Sequence, residues 1–347
     1  MKNIYIPLII SILIAQDIQA QEVRYRAACV AFYNVENLFD TIQDPDIQDE
    51  EFLPDGDRHW NTEKYHKKLE NLASVISRLG NDLGVDGPAF LGVCEVENRQ
   101  VLEDLCQTQL LKPKNYQIIH YDSPDERGID VALLYRPALF EVLAHRSYRL
   151  ELEERPTRDQ LVVSGLFEGD TLSVIVNHWP SRSGGEKRSE PNRLKAAAQV
   201  RAISDSLLKN NPSAKIIIMG DFNDDPNNDS IKKVLKARGK ADDMDWDSFF
   251  NPMFEMHRKG LGTLAYQDIW QIFDQIMISP ALLNKDQKGY FYLPNSASVY
   301  APTELKQDEG RFSGYPYRTF AGNNYTGGFS DHFPVYLFLS KKIDAGQ

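Results

Sequence analysis

The chain of 347 residues has only three cysteines, Cys29, Cys94 and Cys106. Three thiols exclude a disulfide framework and leave room for one bridge at most. Cys29 and Cys94 lie in apolar, strand-like runs and read as buried thiols. No CxxC spacing occurs, which speaks against a zinc–thiolate site. Positive charge is also scarce: Lys and Arg total 39 against 50 Asp and Glu, a net charge of −11. Such a chain does not coat a polyanion through bulk charge. An anionic substrate must be held by a local basic site or by bound cations. Fixed-period repeats and low-complexity linkers are missing as well. A long apolar run occurs only at the start, where MKNIYIPLIISILIAQDIQA (1–20) joins a lysine, an apolar stretch from Ile4 to Ala15 and a short polar end. This is the pattern of a secretory signal peptide, too short for a typical membrane span. Cleavage after Ala20 and export to the periplasm or beyond are expected. With no cysteine at that point, a lipid-anchored product is not.

The remainder interleaves strand-like and helical stretches. Residues 27–39, 88–98, 115–123, 129–137, 214–224, 272–280 and 330–340 read as strands, and 160–179 as a hairpin turning at EGD. TEKYHKKLENLASVISRLG (62–80) places Leu69, Leu72, Val75, Ile76 and Leu79 at helical spacing, with Thr62 as N-cap and Gly80 as terminator. A second helix is predicted over 189–210, with Pro191 near its start. Segments 239–268 and 310–329 lack periodicity and read as long loops. The alternation predicts one α/β domain over 24–341.

Polar groups recur at the ends of these strands: Asn34 and Glu36, Glu95 and Glu97, Asn177 and His178, Asp221 and Asn223, Asp331 and His332. A carboxylate just past a buried strand costs desolvation energy unless it is paired or metal-bound. An amide with carboxylates and no thiolate makes a hard-oxygen site, suited to Mg²⁺ or Mn²⁺, with Ca²⁺ as a further option. The alternating acids of GDFNDDPNNDS (220–230) are not a calcium hand, because its sixth and twelfth places would be Pro226 and Lys232. Two histidines in one site can supply a general base and a general acid. His59, His66, His120, His145 and His257 stand in no motif and are read as structural.

In order along the chain, YNVEN, GVCEVEN, RGIDVALLY, VNHW, GDFN, FDQIMIS and SDHFPV together resemble the endonuclease/exonuclease/phosphatase superfamily. Its members include pancreatic-type deoxyribonucleases, apurinic endonucleases, neutral sphingomyelinases and inositol-polyphosphate 5-phosphatases. The resemblance covers roughly residues 27–338, with Cys94 standing where Gln is common. It implies a four-layer α/β sandwich of two central, mostly antiparallel mixed sheets flanked by helices, with the site at one rim. It also implies roles. Asn34, Glu95 and Asp331 hold the metal. Asp221 and Asn223 position water or phosphate. His332, oriented by Asp274, faces the scissile phosphate, and His178 is the second histidine. By this reading His332 with Asp274 serves the water side and His178 the leaving group, although the two assignments can be exchanged. Asn177 supports His178, and Arg182 is a candidate phosphate clamp. Arg127 and Arg158 are weighed as holders of flanking phosphates against surface salt bridges, and Phe320 and Tyr325 as stacking groups against loop packing.

The resulting expectation is an exported, monomeric, metal-dependent phosphodiester hydrolase with no stable protein partner, acting on DNA or RNA. The competing readings are a phosphodiesterase or phosphatase for a small or lipid substrate, such as sphingomyelin or an inositol phosphate, and a catalytically inactive binding protein on the same fold.

Overall fold

The computed structural model describes residues 24–153 and 155–343; the signal-peptide segment 1–20 lies outside them. The chain runs β1 (Arg24–Leu38), α1 (Thr62–Ile76), β2 (Phe90–Val96), α2 (Arg99–Gln107), β3 (Gln117–His120), β4 (Asp130–Tyr135), β5 (Phe140–Tyr148), β6 (Gln160–Phe167), β7 (Asp170–His178), α3 (Glu186–Asn210), β8 (Lys215–Asp221), β9 (Ala237–Arg238), β10 (Phe249–Phe250), α4 (Met253–Arg258), β11 (Leu264–Tyr266), β12 (Ile269–Gln271), β13 (Asp274–Ile278), β14 (Tyr290–Tyr292), β15 (Ser298–Val299), β16 (Phe320–Ala321), β17 (Asn324–Tyr325) and β18 (Val335–Ile343).

These strands form two mixed sheets of seven strands each, one ordered β14-β18-β1-β2-β4-β3 with β15 on β18, the other β5-β6-β7-β8-β13-β10-β9. Strand alternation sorts the side chains into layers. In β1, Val30 and Phe32 enter the core between the sheets, while Cys29, Ala31 and Tyr33 lie under α1 and α2. In β8, Ile217 and Met219 face the other sheet, while Ile216 and Ile218 pack under α3. Each such fully buried aliphatic side chain contributes about 1.5–3 kcal/mol. The four-layer sandwich is therefore as expected. The sheets approach closely at Gly92, where an added Cβ would sit 2.5 Å from Met219 Sδ.

Local boundaries differ in instructive ways. Asn61, not Thr62, caps α1: its side chain accepts from the Lys64 N–H at 3.0 Å. The second long helix starts at Glu186, so Pro191 lies inside its second turn. The two expected loops hold short elements, among them α4, β11, β16 and β17. All three cysteines are free and buried.

The strand directions bring the site together. In one sheet β1 and β2 run parallel, and in the other β7 and β8 do. Their carboxyl ends carry Asn34, Glu95, His178 and Asp221. Antiparallel β13 begins with Asp274 opposite Asp221, and antiparallel β18 begins just after His332. All six groups thus reach the same rim.

Candidate active site

Two backbone irregularities aim the carboxylates. The β2 register shifts between Cys94 and Val96, where Glu95 takes a positive φ of 62°. This bulge puts Cys94 in the inter-sheet core and Val96 under the helices, and it turns the Glu95 carboxylate towards Asn34. Asn34 Nδ2 donates to Asp221 Oδ2 at 3.0 Å and lies 3.4 Å from Glu95 Oε1. The Asn37 N–H donates to Glu95 Oε2 at 3.1 Å. The Asn223 N–H fixes Asp221 through Oδ1 at 2.9 Å.

The two histidines stand differently. His332 Nδ1 meets Asp274 Oδ2 at 2.7 Å, so its Nε2 faces the site, 3.9 Å from Asp221 Oδ2 and 4.0 Å from Asp331 Oδ1. Burial opposes its charge, but Asp274, Asp221 and Asp331 outweigh burial and raise it well above the usual histidine value. His178 Nε2 lies 3.8 Å from Asp221 Oδ2 and 3.9 Å from Glu95 Oε1, and its Nδ1 has no partner among the described residues. Burial, and then the charges of Arg158, Arg127 and His332, hold it well below the usual value. At neutral pH, His332 is therefore the cationic imidazole and His178 the neutral one. Burial pushes Asp221 up to about 7, with His332 pulling it down and Asp274 adding to the rise.

The donor set fits a hard divalent cation. Glu95, Asp221, Asp274 and Asp331 crowd one rim. Asp274 Oδ1 is buried and unpartnered, and Asp221, Asp274 and His332 offer ligand atoms within 4.8 Å of one another. Glu95 and Asp331 would supply oxygens to such a cation, with Asp221 next to them. Asn34 Oδ1 already accepts the Glu36 N–H at 3.0 Å, which leaves its second lone pair. Cys94 also lies near His178 and Asp221; it is buried in the inter-sheet core, and burial, then Asp221 and Glu95, push its thiol up.

Three of the sequence expectations meet a different environment. Asn177 points away from the rim: Nδ2 donates to Met219 O at 3.1 Å, and Oδ1 accepts from Trp179 Nε1 at 3.2 Å. Its neighbour in the strand, His178, is the one that faces the site. Arg182 is spent on the loop after β8. It reaches Asn223 O at 2.9 Å, Asn228 Oδ1 at 3.1 Å and carboxylates of Asp224, Asp225 and Glu186 at 3.3–3.4 Å, which leaves no fork for a phosphate. Asn223 Nδ2 is likewise held, by Trp179 O at 3.0 Å. Phe320 and Tyr325 pack against Trp60 rather than facing the rim.

Several supporting residues escaped the sequence reading. Ser330 Oγ donates to Asn34 O at 2.7 Å and accepts from the His332 N–H at 3.1 Å, tying the last motif to the first. It sits inside SDH, so the motif itself was the available signal. Arg318 Nη2 holds Asp331 Oδ2 at 2.7 Å; nothing in its sequence context marks it. Arg158, weighed from the sequence as a phosphate holder or a surface salt bridge, is buried instead, with Nη1 on Asp125 Oδ2 at 2.9 Å and Nη2 on Trp179 O at 2.6 Å.

Solved structures share the fold. A humanized D. rerio TDP2 superposes with a TM-score of 0.55 at 14% identity, covering 90% of this chain and 98% of that one. D. rerio TDP2 complexed with single strand DNA product gives 0.53 at 12% identity, covering 90% and 98%. The mannosyl-6-phosphatase of Bacteroides thetaiotaomicron gives 0.53 at 16% identity, covering 90% and 99%. At these identities the likeness concerns the fold. No curated protein matches the sequence. The profile of the Endonuclease/Exonuclease/phosphatase family matches residues 29–341, nearly all of the described chain, and the protein belongs to that family of phosphoester hydrolases.

Proposed function

We propose that the protein is an exported, divalent-metal-dependent phosphodiester hydrolase whose substrate is nucleic acid. The observation that carries this reading is the convergence of Glu95 and Asp221 with a neutral His178 on one side and a cationic His332–Asp274 pair on the other. Attack of water on a phosphodiester puts charge on the non-bridging oxygens and on the leaving oxygen. His332, kept protonated by Asp274, offers Nε2–H to a non-bridging oxygen. Asp221, kept in place by the Asn223 N–H, accepts a proton from the attacking water. His178, neutral, donates a hydrogen bond from Nε2–H to the leaving oxygen, which takes its proton from solvent. His178 thus keeps the leaving-group side first expected of it, whereas His332, with its orienting carboxylate Asp274, moves from the water side to a non-bridging oxygen, and Asp221 takes the water. Glu95 and Asp331, with Asn34 beside them, would hold Mg²⁺ or Mn²⁺, which would supply Lewis-acid neutralisation of phosphoryl charge.

A small phosphoester is the second reading. It is favoured by the net charge of −11 and by a polar cavity of about 400 Å³ beside the rim, room for a group rather than a track for a strand. Turnover of plasmid DNA, RNA, sphingomyelin, mannose 6-phosphate and bis-(p-nitrophenyl) phosphate in Mg²⁺ tests both. Cleavage of a polynucleotide, abolished by Glu95→Ala, is the expected result. Hydrolysis confined to the small esters selects the second reading. No turnover of any of them, with binding retained, leaves an inactive binding protein.

A further inference from the structure

The cavity beside the rim is built differently from the site it adjoins. It lies between residues 124–128, Leu152 with 155–158, and the first turns of α3, and it encloses about 400 Å³. Among the described residues, Arg127, Arg155, Arg158 and Arg188 line it, against the carboxylates of Asp125 and Glu126. Asp125 is already committed to Arg158 at 2.9 Å. Arg155 and Arg188 have no carboxylate partner among the described residues. In a chain with a net charge of −11, a cavity that concentrates arginine is a selective feature.

The cavity is joined to the active site on two sides. Arg158 Nη2 donates to the carbonyl of Trp179, the residue after His178, and Asn223 Nδ2 donates to the same oxygen. Arg127 Nη2 donates to Asn37 Oδ1 at 2.6 Å, and the Asn37 N–H holds Glu95. A ligand held here lies one residue away from the groups that surround the scissile phosphate.

We propose that this cleft is a second oxyanion subsite, which holds a phosphoryl group of the substrate other than the one cleaved. The proposal rests on the phosphoester-hydrolase reading and narrows it: the substrate carries at least two phosphoryl groups. They come either from neighbouring positions of a polynucleotide or from one small bisphosphate.

Calorimetric titration of the full chain in EDTA, where turnover is off, separates these sources. The ligand pairs are thymidine 5′-monophosphate with thymidine 3′,5′-bisphosphate, and fructose 6-phosphate with fructose 1,6-bisphosphate. One bisphosphate is expected to bind the wild type at least about tenfold more tightly than its monophosphate, the value of one charge-assisted contact. The pair with the larger advantage identifies the source. R155A/R188A should bring the advantage below about threefold, and R155K/R188K, which keeps charge but loses the planar fork, should fall between. If the alanine pair melts below the wild type, the lysine pair alone decides. Equal affinity within both pairs, or an advantage that survives these substitutions, overturns the subsite. Turnover of bis-(p-nitrophenyl) phosphate in Mg²⁺ by the same preparation is scored separately. Its absence overturns the hydrolase reading while the binding data still judge the subsite.

Discussion

His332 and His178 differ in what stands behind them, and that difference sets their use. Asp274 lies 2.7 Å from His332 Nδ1, so Asp274→Asn removes the charge that keeps the imidazole protonated while preserving shape. We expect kcat on bis-(p-nitrophenyl) phosphate to fall about 10²-fold with little change in KM. A rise in KM alone would mean that His332 merely binds substrate. His178→Gln should also lower kcat by about 10²-fold, and an unchanged initial rate would remove it from the mechanism. Arg182 gives the opposite expectation. Its guanidinium is held by Asn223 O, Asn228 and three carboxylates, so Arg182→Ala should cost about 1–3 kcal/mol of stability, read as a lower denaturant midpoint, and leave KM where it was. A several-fold rise in KM at constant stability would restore it as a phosphate clamp.

At the scale of elements, α1 does more than cover a sheet. Lys68 lies in its middle, buried, and donates to Thr319 Oγ1 at 2.6 Å and Phe329 O at 2.7 Å. One turn on, Asn71 donates to the carbonyls of Gly327 and Gly328 at 2.9 and 2.8 Å. The helix thus fixes the aperiodic segment that delivers Ser330, Asp331 and His332. Lys68 also lies 3.9 Å from Glu36, a carboxylate whose Oε2 accepts the Thr319 N–H. Lys68→Ala leaves that carboxylate with less compensation and should destabilise the fold by about 3–5 kcal/mol, measured by urea unfolding. A change below 1 kcal/mol would mean that α1 does not hold this loop. This is also where the sequence stopped being legible. Strand ends carrying Asn34, Glu95, Asp221 and His332 announced themselves, because a polar group after an apolar run is conspicuous. Strand alternation said nothing of the bulge at Glu95. It could not separate Asn177 from His178, two neighbours that face opposite sides of β7. The segment 310–329 read as a loop because its order comes from distant donors on α1 and not from its own periodicity. Arg155 and Arg188 lie in the same blind spot: each becomes meaningful only when two loops and a helix start meet in space.

Over the whole molecule, the two sheets oppose one parallel strand pair with another, and the loops at the carboxyl ends of both pairs close over one rim. The dry core between them, with Phe32, Met219 and Val174 at or near zero exposure, carries the stability of the fold. The rim works against it, because Glu95, Asp221, Asp274 and Asp331 are held together by that core at some electrostatic cost. A cation that binds only the folded state returns that energy by mass action, about 2.7 kcal/mol at a hundredfold excess over its Kd. For a domain of this size that corresponds to a rise of roughly 5 °C in Tm. Scanning calorimetry of the wild type in EDTA and in millimolar Mg²⁺ should show this rise. Glu95→Gln should abolish the response and, by relieving repulsion at the rim, melt in EDTA at or above the wild-type temperature. If the variant keeps the full Mg²⁺ shift, the stabilising cation sits elsewhere, and Glu95 then has no part in holding it.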